Sequence, residues 1–421
     1  MKIENNYLKN KYKIRNSKNL FFILLAFLIL AIFYLAPTLS GLTHAGQVMI
    51  GILLMAAILW VTEPIPLAIT GLLVMIMQPL LQIRTPEQVF SSFGSNAVFF
   101  LIGAFIIAGA VEKHGLHRRI ALSFLSYFEN NPRLFTFGIM LSCACLSFVM
   151  PEHGVAALFL PIIVSILIAM KIVPKQSNFG KVSMLAVAYG CSIGSLGTLI
   201  GGARNIYTVD ILQQAGQNIA FLQWMIYAMP VVLIALPLVW LVLQFTFPIK
   251  LQDISAAKRE INKQVNQAGK MGKNELIVLS ILILTIALWI AFSSTVYYGL
   301  AVIALLGGVL LFLTRSITWK DVETRVPWGI ILLYGGAITL GIGMQSEKLG
   351  GTGAGEWIAN GFFSIAGNNP LLVILIMIIF TVVLTNIMSN IAAVAILLPI
   401  GLSIASTITA VSYTHLTLPT N

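Results

Sequence analysis

Charge is what this chain has least of. Only 9% of its 421 residues are Asp, Glu, Lys or Arg, against 58% hydrophobic residues and a mean hydropathy of +0.94. A soluble domain of this length would need far more surface charge, so composition excludes one. Cysteine is scarcer still: Cys143, Cys145 and Cys191 all lie in apolar stretches. Residues 143 and 145 point in different directions on a helix. Neither a zinc site nor a disulfide framework follows, and all three read as packing residues. No His-Glu-x-x-His occurs, and no nucleophile–base pair stands at a defined spacing, which argues against an intramembrane hydrolase.

What the sequence does have is long apolar runs, such as residues 20–35, 48–61 and 276–292. A membrane span needs roughly 20 mostly apolar residues, and runs of this kind recur along the whole chain. The first is not a cleavable signal peptide. It leads into further spans and lacks a small-residue cleavage site near Ala36-Pro37.

The net charge of +11 does not point to nucleic acid, because of where it sits. Of the 25 Lys and Arg, 22 fall in residues 2–18, 113–133, 171–181, 250–273 and 315–325; Arg84, Arg204 and Lys348 lie outside. Even numbers of spans separate these clusters, as cytoplasmic segments require under the positive-inside rule. The expectation is an inner-membrane protein with a cytoplasmic amino terminus.

Spans are predicted near residues 20–36, 46–61, 66–82 and 96–112, followed by an interfacial amphipathic stretch at 118–128. Residues 134–150 and 155–170 are apolar but interrupted by Pro151-Glu152-His153-Gly154, which reads as the tip of a re-entrant helical hairpin. Spans near 182–198 and 223–248 follow, then a polar linker at 250–274. The second half offers 275–292, 296–313 and 327–344, a short segment at 355–365, and two apolar stretches, 371–388 and 391–408, broken at Ser389-Asn390.

The halves repeat. The twelve residues from Met150 to Pro161 align without gaps on Met388 to Pro399, and Ser165-Ile166 on Ser403-Ile404. Upstream, Leu101-Ile102-Gly103 matches Leu333-Tyr334-Gly335, and Glu112-Lys113-His114-Gly115 matches Glu347-Lys348-Leu349-Gly350. Five expected spans separate the hairpins, so the second would enter from the opposite face. The fold expected is an all-α polytopic membrane protein, an inverted repeat with two re-entrant hairpins and broken helices.

Each hairpin tip exposes helix amino-terminal N–H groups suited to an oxyanion, while the preceding helix ends in carbonyls suited to a small cation. Ser389 and Asn390 can serve either ion. A carboxylate at membrane depth is costly, so Glu152 is expected to be protonated, ion-paired or holding a cation, unless the tip sits shallow in cytoplasmic water. His153 either pairs with Glu152, caps its neighbour or meets the anion with Gly154. The glycines at 190, 194, 197, 201 and 202 suit either tight helix packing or an unwound segment beside the site. Arg204 either binds an anion or snorkels to the interface.

At these residues the chain resembles the divalent anion:sodium symporter family. Members carry Ser-Asn-Thr, then small residues and Leu-Leu-Pro, at each hairpin tip. Here the second copy runs from Ser389-Asn390-Ile391 to Leu397-Leu398-Pro399. The first shares Ala156-Ala157 and Leu160-Pro161 but has Pro151-Glu152-His153 at the motif itself. Similar too are Trp60-Val61-Thr62-Glu63-Pro64-Ile65-Pro66, the run from Glu112 to Arg119, Ala188 to Gly194 with Gly197-Thr198, Val326 to Ile330, and Leu333 to Gly336. Ala203-Arg204-Asn205 stands where the family has Pro-Pro-Asn.

The resemblance covers about residues 45–410 and implies a homodimer in lipid, with scaffold and transport domains moving by an elevator-like motion. The division implied is a cytoplasmic segment at 1–19, scaffold at 20–128 and 275–366, transport domain at 129–249, linker at 250–274 and second hairpin at 367–410. It implies a divalent anion as substrate (dicarboxylate, citrate or sulfate), contacting His153, Gly154, Arg204, Asn205, Ser389 and Asn390. Sodium as coupling ion would meet Glu152, Gly197, Gly201 and Asn390, with no resident cofactor and no nucleic-acid partner. Glu152 stands where the family's sodium-site Asn would be, leaving proton coupling or exchange as the alternative. Residues 411–421 abandon the apolar pattern and read as appended adapter sequence replacing further native helices.

Overall fold

The structure, a computed structural model, describes the backbone of residues 2–417 except 129–130, 173–176, 215, 252, 296, 348–349 and 367–368; side chains are described from 18 to 405 except 214. Of the expected foreign tail, 411–417 continue the last helix as backbone, and 418–421 lie outside the described residues.

Every regular element among the described residues is helical. In chain order they are α1 (Lys2–Leu35), α2 (His44–Thr62), α3 (Leu67–Leu80), α4 (Pro86–Ser91), α5 (Asn96–Lys113), α6 (Leu116–Ser126), α7 (Pro132–Leu146), α8 (Glu152–Ala169), α9 (Asn178–Gly194) and α10 (Ala203–Gln214). Then come α11 (Phe221–Thr246), α12 (Ser255–Ala268), α13 (Lys273–Phe292), α14 (Leu300–Leu313), α15 (Trp319–Arg325), α16 (Trp328–Met344), α17 (Ala354–Ile365), α18 (Pro370–Ile387) and α19 (Asn390–Thr417), with a 3-10 turn at Ser92–Gly94. Among the described residues, seven helical segments are long and apolar enough to cross a membrane. The chain is a polytopic membrane protein.

The element order recurs. Helices α2 to α8 and α13 to α19 are the same series, and the local chemistry that starts them is repeated. The Thr85 and Thr318 side chains each cap a short helix through a capping box with Gln88 and Asp321. The Asn131 and Asn369 amide oxygens each accept two backbone N–H groups, and each Asn is followed by a Pro at the first helical position. A fixed φ and a satisfied first turn make both starts rigid. After each of these helices the chain breaks, and α8 and α19 begin at Glu152 and Asn390.

Two compact units result: Met1–Val98, Asp210–Gln217 and Trp328–Asn421 form one, Phe99–Val209 and Asn218–Pro327 the other. In the first, Gln47 closes the end of α1. Its amide donates to the Phe33 and Ala36 carbonyls at 2.9 and 3.0 Å and accepts from the Leu39 N–H at 2.8 Å. These are groups a helix end leaves without partners. Helices α3 and α16 meet backbone to backbone, and a Cβ on Gly336 would run into the Gly71 main chain. Close approach of this kind, with no side chain between, is how helices associate where lipid supplies no hydrophobic drive.

The second unit packs α7 on α9, where a Cβ on Gly190 would lie 2.5 Å from the Met140 carbonyl oxygen. Phe135 stacks on Phe179 at 6.2 Å, while Trp289 is flanked by Phe100 and Phe221 at 5.4 and 5.2 Å. The polar stretch read as a linker contains α12, an amphipathic helix laid on α6 and α8. Gln264 donates to Ser165 at 2.7 Å, and Arg119 donates to the Ala268, Gly269 and Lys270 carbonyls at α12's carboxyl end. A cation there complements the helix dipole. Large apolar side chains on α11 and α18 stay exposed, among them Ile234, Phe245, Ile378 and Ile387.

Candidate functional site

The first helix break builds its site from three segments of one unit. Helix α7 ends at Leu146, turns follow, and Pro151 sets the start of α8. Opposite it, residues 195–202 leave the helical path between α9 and α10. This is the unwound reading of the glycine-rich segment, and the packing reading holds at Gly190 and Gly194 on α9. The Glu152 N–H donates to the Gly201 carbonyl at 3.2 Å, and a Cβ on Gly201 would sit 2.6 Å from the Ser195 carbonyl oxygen. Only a residue without a side chain fits there. Thr198 donates through Oγ1 to the Phe148 carbonyl at 2.6 Å, and Asn205 Nδ2 donates to the Ser195 and Thr198 carbonyls, both at 2.7 Å. Asn205 therefore clamps the unwound loop, 2% exposed itself.

Within this frame Glu152 and Arg204 form a bidentate pair. Arg204 Nη1 lies 2.7 Å from Glu152 Oε1, and Nη2 lies 3.1 Å from Oε2. Ser195 Oγ donates to Oε2 at 2.7 Å, and Arg204 Nη2 also reaches Ser195 Oγ and the Ser192 carbonyl. Both charged side chains are about nine-tenths buried, at 11% and 10% exposure for Arg204 and Glu152. The parallel fork is the strongest geometry available to a carboxylate and a guanidinium, and it settles how a charge persists here: each group neutralises the other. Chemically the pair is closed. It becomes a cation ligand or an anion ligand only when the two side chains part.

Of the residues read from sequence, Glu152, Gly197, Gly201, Arg204 and Asn205 meet at this break. Gly197 packs on the Phe148 ring. His153 and Gly154 lie in the same first turn of α8, with His153 exposed. Ser389 and Asn390 belong to the other unit. There Ser389 Oγ accepts the Ala392 N–H at 3.3 Å, a local cap on α19, and Asn390 is exposed as the helix's first residue. The reading missed Ser195, whose hydroxyl touches both charged partners. A serine between two glycines of a broken helix was the available signal.

Comparison with known proteins decides the family. The profile described as the sodium:sulfate symporter transmembrane region matches residues 17–421. A protein named sodium-dependent dicarboxylate transporter SdcS from Staphylococcus saprophyticus is 31% identical over 388 residues, covering 86% of this chain and 73% of the relative. Its namesake in Staphylococcus aureus strain NCTC 8325 is 31% identical over 363 residues, 80% of this chain and 68% of the relative. The chain belongs to the sodium:sulfate symporter family. As a symporter-family protein it is a multi-span membrane transport protein and not an enzyme, and the Glu152–Arg204 pair lies in a transporter's broken helix.

Proposed function

We propose that this symporter-family protein moves a small dianion, of the dicarboxylate, citrate or sulfate class, across the inner membrane together with sodium. The observation that carries the proposal is the neutral Glu152–Arg204 pair buried at a helix break. Apolar spans gain nothing in stability from such a pair, whereas a transport site needs charges that can be exchanged for ligands. The names of the two relatives support sodium and a dicarboxylate. In this reading the hairpins enter from opposite faces, with the amino terminus cytoplasmic. Two copies of the chain pair in the lipid, and one domain carries the tips past a fixed scaffold. Residues 129–249 and 367–410 would form that moving part; 20–128 and 275–366 would form the scaffold.

At the first tip His153, Gly154 and Asn205 would offer ligands to an anion and the carbonyls near Gly197 and Gly201 to sodium; at the second, Ser389 and Asn390 would serve an anion and Asn390 sodium. Arg204 supplies at the first tip the positive charge that a bound cation would otherwise bring to Glu152. A second reading, proton coupling through Glu152, requires its carboxylate to leave Arg204 and Ser195 during the cycle. Uptake of labelled succinate, citrate and sulfate into proteoliposomes, with and without a sodium gradient, tests the assignment. Uptake of one of them that rises at least tenfold with inward sodium is expected. No sodium response, with a response to an imposed pH gradient that Glu152→Gln abolishes, would overturn sodium coupling in favour of the proton.

A further inference from the structure

Arg84 is a buried cation with no anionic partner among the described residues. It sits between α3 and α4 at 9% exposure, and every acceptor it has is neutral. Its Nη1 reaches Gln78 Oε1 at 3.4 Å and the Thr339 carbonyl and hydroxyl at 3.3 Å each, while Nη2 reaches the Gln88 carbonyl at 3.1 Å. Its Nε–H is buried and finds no acceptor. Among the described residues no carboxylate forms an ion pair with it. A guanidinium does not give up its proton, so burial leaves a full positive charge to be balanced.

The side chain lines a cavity of about 390 Å³ in the same unit. Gln88, Ser91, Ser92 and Ser95 from the α4–α5 corner and Gln345 just past α16 share the lining, with two isoleucines of α16 and no acid. Hydroxyls and amides around one buried cation, with no negative group, form a chamber that favours an oxyanion. Ser95 Oγ caps α5 by accepting the Val98 N–H at 3.4 Å, which leaves its hydroxyl hydrogen to donate into the chamber.

We propose that this cavity holds one oxyanion group (carboxylate, sulfate or phosphate) on the Arg84 guanidinium. It is a site separate from the one at the helix breaks. The group could arrive on a free ion or on a phospholipid headgroup, since both offer the same oxygens. If Arg84 served only to clip the α3–α4 corner to Thr339, filling the chamber without touching the clip would change nothing.

The test uses the full chain in a neutral maltoside detergent, followed by thermal unfolding through tryptophan fluorescence. Inorganic phosphate is titrated against potassium chloride at matched ionic strength. The same melts are run in nanodiscs of phosphatidylcholine with and without phosphatidylglycerol. A saturable upward shift of about 2 °C or more is expected for the wild type. Arg84→Gln and Ser91→Leu should both lose it, and Arg84→Lys should keep a reduced part. Ser91 is exposed and its hydroxyl donates to the Gln88 carbonyl, a bond not needed by the Arg84 clip, so Ser91→Leu decides alone should Arg84→Gln fail to fold. A shift with phosphatidylglycerol but not with phosphate assigns the headgroup; the reverse assigns the free ion. If the shifts of wild type and Ser91→Leu coincide under both probes, the proposal is overturned.

Discussion

Glu152 and Arg204 stand 52 positions apart, and neither is a conventional tenant of an apolar helix end. Each was visible in the sequence as an ionisable group out of place; that they pair was not, because nothing in linear spacing measures the distance across a helix break. Removing one member leaves the other buried and uncompensated, at a cost of roughly 3–5 kcal/mol. Replacing both by methionine should cost much less, since Ser195 still has the Ser192 carbonyl to donate to, at 2.8 Å. Thermal melts of Glu152→Met, Arg204→Met and the double variant should therefore be strongly non-additive, with the double above either single. Additive losses would show that the two charges are not energetically coupled.

His117 offers a second test at this scale. It is half-buried on α6, outside the spans, and burial holds its imidazole below the ordinary value, against the opposing pull of Glu112. A lowered folded value means that the unfolded chain takes up a proton first as pH falls below about 6.5. The stability His117 contributes while neutral is thus present above that pH and fades on acidification. Wild type should lose stability between pH 7 and pH 5, and His117→Gln should flatten that slope, as read from melting temperature against pH.

At the scale of the element, apolar run length placed most helices to within a few residues. Breaks at Pro151 and at Ser389 were legible because Pro, Gly and polar groups interrupt otherwise continuous apolar runs. What escaped was whatever hydropathy does not describe. Helix α12 has a polar composition and forms because one face meets α6 and α8 while Arg119 caps its end. Helices α4 and α15 are short and held by their capping boxes, which compete poorly with the adjoining spans in any reading by apolarity. The close contact of α3 with α16 supplies the prediction here. Gly336→Val forces a side chain into the Gly71 backbone and should cost about 1–3 kcal/mol or more. Gly329→Ala on the same helix meets only the Ala68 methyl at 3.7 Å and should be neutral or slightly stabilising. Equal loss of folded material for both variants in size-exclusion profiles would contradict the contact.

For the molecule as a whole, the sequence carried the repeat further than the motif matches alone. The paired Asn-Pro starts, Asn131-Pro132 and Asn369-Pro370, and the paired Thr caps carry the correspondence from α4 to α8 in one half and from α15 to α19 in the other. Family membership was legible for the same reason, since the resemblance rests on turns and breaks that lipid-facing residues cannot supply. The Arg84 chamber was not legible. Its parts come from α4, from the turn after it and from α16, and a lone arginine outside the basic clusters reads equally well as an interface anchor.

The meeting of Gly71 and Gly336 also bears on how the protein is made. The two glycines are 265 positions apart, so α3 leaves the ribosome well before its mate exists. At about 5–20 residues per second the wait is on the order of 13–50 s. Through that interval the small-residue face of α3 has only lipid, the insertion machinery or a passing neighbour against it. Biogenesis of the first compact unit consequently waits for α16, and a nascent chain that stalls at α12 should be a substrate for membrane proteolysis.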